Sequence, residues 1–133
     1  MEEGINIEQF SIANYNPLVL AYMGDAVMEL FVREYIIGDG NTTPNKLNEM
    51  AKEFVTAQNQ SAAVELVMPY FNEYEIMIYK LGRNSKSAHT PKSASTVAYR
   101  RATGLECVFG FLYLSGNIQR ARDLFLIIKN KNL

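Results

Sequence analysis

Apolar residues recur along this chain at the three- and four-residue spacing of helices that bury one face. No stretch alternates between apolar and polar positions as a half-buried strand does. The first strong helix is predicted over residues 16–37, where Pro17 suits the first turn because its missing N–H is no loss there. Its apolar stripe consists of Leu20, Val27, Leu30 and Phe31.

Five further helices follow from the same pattern, over residues 44–57, 59–68, 73–81, 95–114 and 118–130. Asn72 and Glu75 resemble a capping box at the start of the fourth predicted helix, and Gly82 fits its C-terminal cap. Residues 83–93 are polar and basic and are expected to form a loop. The pattern therefore predicts an all-α fold, a helical bundle that forms a single domain over residues 1–133.

Length and composition narrow the class of protein. A chain of 133 residues is one domain by size. The single cysteine, Cys107, excludes an internal disulfide and a cysteine-based zinc site. No apolar run approaches the roughly 18 residues of a membrane span, and residues 1–6 lack the basic start of a secretion signal. We therefore expect a soluble, cytoplasmic protein with no membrane partner.

Charge is distributed unevenly although the net charge is only −1. Residues 1–79 carry 12 acids and 3 bases, whereas residues 80–133 carry 10 bases and 2 acids. No acid occurs between Glu75 and Glu106. This asymmetry predicts a basic surface patch that could hold a phosphate backbone. The alternative interpretation is that the two halves of the chain simply attract each other.

Two acids, Asp25 and Glu106, lie in stretches that otherwise read as buried helix. Burying a carboxylate without a partner costs several kcal/mol, so each should pair with a cation or hold a metal. Ala21 and Gly110 share helix faces with the acids, and such small residues would let two helices approach closely. Both carboxylates could then hold one Mg²⁺ or Mn²⁺ ion. A second possibility is that Asp25 pairs with an arginine such as Arg100 or Arg101.

A divalent ion beside a basic loop suggests metal-assisted hydrolysis of a phosphodiester bond. Three motifs then carry a resemblance to the ribonuclease III family. Tyr22–Glu29 contains the Gly-Asp-Ala-Val core of the family signature, and Lys80–Lys86 resembles its Arg-Gly-Arg-Asn-Ala-Lys element. Tyr99–Leu114 resembles the helix around the second catalytic acid. The resemblance covers residues 16 to about 128 and is nearest to Mini-ribonuclease III, the short bacterial branch without a double-stranded-RNA-binding domain.

The resemblance implies a homodimeric, metal-dependent endoribonuclease that cuts double-stranded RNA and leaves 5′-phosphate and 3′-hydroxyl ends. Asp25 and Glu106 would be the catalytic residues and the ligands of Mg²⁺, for which Mn²⁺ could substitute. The implied substrate is precursor 23S ribosomal RNA, with assistance from ribosomal protein L3. Together with the basic charge, the resemblance assigns RNA binding to Arg83, Asn84, Lys86, Lys92, Arg100 and Arg101.

This chain also departs from the pattern of full-length ribonuclease III. Leu18 and Ala21 stand where that enzyme has glutamates, and Thr103 stands where it has an aspartate. Leu81 replaces an arginine of the family motif. Fewer carboxylates should leave more waters on the ion and weaken its binding, and whether the site holds one ion or two stays open.

Other residues have simpler interpretations. Glu29 is expected to pair with Arg33 one turn later rather than to bind metal. Tyr99 could contact RNA or belong to the core, and His89 is expected to be an exposed loop residue. Three alternative functions stay open: a catalytically silent RNA-binding or ribosome-associated relative, a nucleotide pyrophosphohydrolase and a helical interaction module. The second would need clustered Glu-x-x-Glu pairs, which the predicted core helices lack.

Overall fold

The computed structural model describes residues 7–85 and 96–131, and these residues form seven α-helices and no strands. A short 3₁₀ turn, Met68–Tyr70, follows the fourth helix. The all-α prediction is confirmed. The helices are α1 Ile7–Ala13, α2 Pro17–Ile37, α3 Pro44–Val55, α4 Ala57–Val67, α5 Glu73–Arg83, α6 Thr96–Leu114 and α7 Ile118–Lys131.

The helix starts follow the capping signals in the sequence. The Asn16 side chain accepts a hydrogen bond from the Leu18 N–H at 2.9 Å, directly before Pro17. Asn72 and Glu75 form the predicted capping box, in which each side chain accepts from the other residue's backbone N–H, at 2.8 and 2.9 Å. These bonds satisfy N–H groups that the first helical turn leaves without partners.

Two predictions were wrong: one concerned the residue at which a helix ends, and the other concerned the number of helices. Gly82 is not a cap, because α5 continues to Arg83 and Gly82 is buried within it. A side chain at Gly82 would lie 2.4 Å from the Cys107 sulfur, so glycine serves close packing of α5 on α6. Helix α1 was not predicted, although its residues Ile12 and Ala13 are buried in the core. Its seven residues are too few to show a clear helical period.

Helix α6 forms the centre of the bundle and packs against α2, α4 and α5. Its residues Leu105, Val108 and Phe109 are fully buried. The Phe109 ring meets the Phe31 ring of α2 edge to face, with centroids 6.2 Å apart. Since α6 is enclosed on several sides, any polar residue on it must find a partner or an opening.

Ion pairs join the acidic and basic parts of the chain. Glu75, which is 1% exposed, accepts two hydrogen bonds of 2.8 Å from Arg120 of α7. Arg122 pairs with Glu34 of α2 at 2.7 Å. Three of the four ion pairs among the described residues connect the two parts in this way. The alternative interpretation of the charge asymmetry is thus partly right, since some bases serve internal pairing.

Within residues 7–85 and 96–131, no helix is both long enough and apolar enough to cross a membrane.

Candidate active site

The two candidate acids meet where α2 crosses α6. A side-chain carbon added at Gly24 would lie 1.7 Å from the backbone oxygen of Glu106, and one added at Gly110 would lie 2.0 Å from the oxygen of Leu20. Only hydrogen fits at these two positions, so the helix backbones are in direct contact. The predicted close approach through small residues is therefore present, and it places Asp25 beside Glu106.

The carboxyl groups at this crossing differ in exposure. Glu106 is half-buried, whereas Asp25 is exposed to solvent. The expectation that both acids are buried was therefore wrong for Asp25, because α2 lies at the surface on the side where Asp25 projects. Solvent reaches the carboxyl group of Asp25 more freely than that of Glu106, so a ligand can approach the pair from the side of Asp25.

The two carboxyl groups share a proton in the absence of a cation. Burial raises the pKa of Glu106 to about 8, and the negative charge of Asp25 and a hydrogen bond to it add to the rise. The pKa of Asp25 is also raised, first by partial desolvation at the helix crossing and then by the charge of Glu29, while the hydrogen bond with Glu106 lowers it. Near neutral pH the protonated Glu106 therefore donates a hydrogen bond to the Asp25 carboxylate.

This environment fits a divalent cation. None of the four ion pairs formed by the described residues includes Asp25 or Glu106, so neither of the alternative partners, Arg100 and Arg101, neutralises them. A cation between the two groups would stabilise the ionised form of both carboxyl groups and displace the proton that Glu106 holds. Within residues 7–85 and 96–131, no group of three or more His, Cys, Asp or Glu side chains could hold a metal. An ion here would therefore have two protein carboxylates and complete its shell with water.

Ala21 and Thr103 are both buried near the crossing. The Thr103 hydroxyl donates to the carbonyl oxygen of Tyr99 at 3.0 Å and is thus already satisfied. Neither residue supplies an acidic ligand. Tyr99 itself is half-buried on α6, and its assignment as a supporting residue stays a prediction.

Glu29 lies close to Asp25 but is held by Arg33. The guanidinium donates to one Glu29 oxygen at 2.6 and 3.1 Å, as expected from the one-turn spacing. Glu29 also lines two hollows beside Asp25, together with residues of α3 and α4 that the sequence did not point to. Polar residues in this group are Asn48, Glu53, Asn59 and Gln60. They were missed because they read as ordinary surface positions, and they come near Asp25 only through tertiary packing.

Four of the six predicted RNA-binding residues lie together on another surface. Arg83, Asn84, Arg100 and Arg101 line one open hollow of about 430 Å³ between α5 and α6. The Arg83 guanidinium lies over the Tyr79 ring, 5.7 Å from its centroid, and donates to the Asn84 side chain at 3.1 Å. Their RNA-binding role stays a prediction. Lys86, Lys92 and His89 lie outside the described residues.

Arg101 has a partner that the sequence did not suggest. Its guanidinium donates to the Glu65 carboxylate of α4 at 2.5 Å. Glu65 is 36 residues away in the chain, so no local spacing rule could have found this pair. The pair reduces the positive charge that Arg101 presents, and Arg83 and Arg100 take part in none of the ion pairs among the described residues.

Fold and site together define a class: an all-helical protein with two carboxyl groups that meet at a helix crossing and a separate arginine-lined surface. Comparison with known proteins identifies the family. The Ribonuclease III domain matches residues 18–117. The chain is 46% identical over 116 residues to Mini-ribonuclease 3 of Clostridium tetani, with 86% of this chain and 77% of that protein covered. It is 42% identical over 111 residues to Mini-ribonuclease 3 of Staphylococcus aureus, which covers 82% and 83% of the two chains.

A solved structure agrees with the sequence comparison. The crystal structure of a protein from Fusobacterium nucleatum superposes with a TM-score of 0.80 at 29% identity, covering 90% of this chain and 96% of the other. The chain therefore belongs to the ribonuclease III family, and its relatives place it in the Mini-ribonuclease III branch. It is an endoribonuclease of this family, whose members act on double-stranded RNA, use a divalent metal ion and work as dimers.

Proposed function

We propose that this chain is a Mg²⁺-dependent, homodimeric endoribonuclease in which Asp25 and Glu106 hold the ion and form the catalytic centre. The observation that carries the proposal is the meeting of two carboxyl groups at the α2–α6 crossing, with no ion-pair partner among the described residues. Mn²⁺, which has the same preference for oxygen ligands, would serve as a substitute.

Glu106 and Asp25 have different roles in the proposed site, because they differ in exposure. Glu106 is held in place by the enclosed part of α6, while Asp25 faces the solvent from which RNA arrives. A divalent ion held by Asp25 and Glu106 would supply Lewis-acid activation of the attacking water and of the scissile phosphate. Because Gly24 and Gly110 fix the distance between the helices, the two carboxylates are ready to bind without rearrangement of the backbone. The expected products carry 5′-phosphate and 3′-hydroxyl ends.

The arginine-lined hollow between α5 and α6 supports recognition of the RNA backbone. Arg83 and Arg100 offer guanidinium groups that can bind phosphate oxygens bidentately. Asn84 and Arg101 line the same hollow. Base edges lie deep in the narrow major groove of duplex RNA, so recognition by shape and phosphate contacts fits this surface. Lys86 and Lys92 extend this assignment along the chain.

Dimerisation would use the exposed face of α2. Val19 is 50% exposed, Tyr22 is 82% exposed, and Leu30 follows two turns later on the same side. A stripe of this kind on the helix that carries Asp25 fits a second copy of the chain, and pairing there would bring two active sites to one groove. Tyr22→Arg should convert the dimer to a monomer in sedimentation experiments, and an unchanged dimer would point to another surface.

Cleavage of an end-labelled RNA duplex with Mg²⁺ tests the catalytic assignment. We expect wild type to cut and Asp25→Asn and Glu106→Gln to lose at least a hundredfold in rate. Glu49→Gln, which changes an exposed glutamate of α3, is the matched control and should cut normally. If the two variants bind duplex but cut as fast as wild type, the acids are not the catalytic centre. If wild type binds without cutting, the alternative of a catalytically silent RNA-binding relative is favoured.

We further propose that the cytoplasmic substrate is the precursor of 23S ribosomal RNA and that ribosomal protein L3 assists cleavage. This assignment rests on resemblance to the Mini-ribonuclease III branch. Cleavage of the transcript that contains the precursor stem should be site-specific and should accelerate when L3 is bound. Equal cutting of unrelated duplexes with and without L3 would contradict it.

A further inference from the structure

A cavity the size of one water molecule lies beside Asp25. Its free volume is about 10 Å³, which is close to the minimum that a single water requires. One part of its wall is apolar and includes Phe125 and Ile128 of α7, while Asp25, Asn59 and Gln60 contribute polar groups. A water in this cavity would find no hydrogen-bond partner on the apolar part of the wall, so the polar groups would have to hold it.

Gln60 is the unusual residue of this wall. It is 4% exposed, and its backbone N–H donates to the Thr56 oxygen at 2.9 Å as a regular helical residue does. Its side-chain carboxamide forms no hydrogen bond with another of the described residues. Among those residues no fully enclosed side-chain N or O atom lacks a partner, so the carboxamide keeps some accessible surface, and Gln60 lines the cavity. Buried amides are almost always hydrogen-bonded, and the cavity is where this one can find its partner.

The other polar side chains of this wall differ from Gln60. Glu53 and Asn59 are exposed to solvent, and Asn59 also donates from its side chain to the Lys52 carbonyl oxygen at 3.3 Å. Glu29 is bound by Arg33. Gln60 is the buried polar side chain of the wall, and its carboxamide can both donate and accept a hydrogen bond.

We propose that Gln60 is a positioning residue of the active site: its carboxamide holds one water in this cavity, and the water hydrogen-bonds to Asp25 and orients that carboxylate for the divalent cation. The inference rests on the proposed function. It also explains how a site with two acidic ligands is kept in order, because carboxylate ligands are fixed by hydrogen bonds to groups behind them. Ala21 and Thr103 supply no such group.

Metal binding and thermal stability, measured separately on Gln60→Leu, test this role. Calorimetry with Mn²⁺ should show binding about tenfold weaker than in wild type, as is usual when a group behind a metal ligand is removed. In EDTA the melting temperature should not fall, because the variant replaces a polar group that has no protein partner with an apolar one. Gln58→Leu on the exposed side of α4 is the matched control and should change neither value.

A lower melting temperature in EDTA with unchanged Mn²⁺ affinity would overturn the proposal and make Gln60 a packing residue. If Gln60→Leu does not fold, Gln60→Met, which keeps the unbranched shape, is measured against the same expectation. Asp25→Asn tests the metal site separately from the role of Gln60. If this variant binds Mn²⁺ as well as wild type, the proposed metal site itself is wrong. If Asp25→Asn loses Mn²⁺ binding and both Gln60 variants keep it, only the role of Gln60 is refuted.

Discussion

Glu106→Gln should make the metal-free protein more stable at alkaline pH while it removes activity. The pKa of Glu106 is raised from 4.5 to about 8, mainly by burial and then by the charge of Asp25. The folded chain therefore holds a proton that the unfolded chain releases, so the contribution of Glu106 to stability is fully present below pH 4.5 and is lost as the pH rises to about 8. A glutamine at this position has no charge to bury and does not show this loss.

The magnitude follows from the size of the shift. Each pKa unit corresponds to about 1.36 kcal/mol, so the rise from 4.5 to about 8 sets an upper limit of about 5 kcal/mol. Glu106 keeps partial contact with water, which screens the charge, and we expect about 2 kcal/mol at pH 9. For a domain of this size that difference raises the melting temperature by roughly 8 °C.

Thermal unfolding followed by circular dichroism in EDTA, at pH 5 and pH 9, measures the effect. The advantage of Glu106→Gln should be small at pH 5 and about 8 °C at pH 9, and Glu49→Gln should match wild type at both. Added Mg²⁺ should stabilise wild type and leave Glu106→Gln unchanged, since a ligand stabilises only the state that binds it. An advantage that is equal at both pH values, or absent at pH 9, would refute the argument that this carboxyl group is desolvated.

Three further predictions concern the fold and the RNA surface. Gly24→Ala should lower the free energy of unfolding by at least about 2 kcal/mol in urea titrations and abolish cleavage, because the added methyl group forces α2 away from α6. Arg120→Ala should destabilise by about 3–5 kcal/mol because it leaves Glu75 buried and unpaired, and adding Glu75→Gln should restore part of the loss in the same titration. Arg100→Ala should weaken duplex binding and reduce the slope of log Kd against log salt concentration by about one. Glu65→Gln should strengthen binding, because it releases Arg101 from its ion pair. Changes of the opposite sign in fluorescence anisotropy would contradict the assigned surface.

Local sequence signals predicted most of the fold correctly. Pro17 in the first turn of α2 and the capping box at Asn72 depend on neighbouring residues only, and both are present as expected. Gly82 was misread because the same residue that ends a helix can also allow two helices to touch, and only the packing against Cys107 distinguishes these uses. Helix α1 escaped notice because a short segment gains its stability from the core and not from its own pattern.

The meeting of the two acids at the candidate site could be predicted from the sequence, whereas the residues that surround them could not. Asp25 and Glu106 stand out as acids within apolar helices, and the small residue Gly110 indicated that their helices approach. Gln60 carries no such signal, because a glutamine in a helix is common and its burial depends on the placement of α4. The pair of Glu65 with Arg101 is hidden for the same reason, since it joins residues that only the folded chain brings together.

The charge asymmetry of the chain therefore has two physical roles that the sequence cannot separate. Arg120 and Arg122 fasten α7 to acids of earlier helices, which stabilises the bundle and leaves less charge for a ligand. Arg83 and Arg100 lie on the hollow between α5 and α6 and have no ion pair among the described residues, so their charge is available to phosphate. The acids divide in the same way, since Glu29, Glu34, Glu65 and Glu75 pair with arginines while Asp25 and Glu106 face each other. Groups whose charge the fold leaves uncompensated are the ones that a cation and an RNA phosphate can bind.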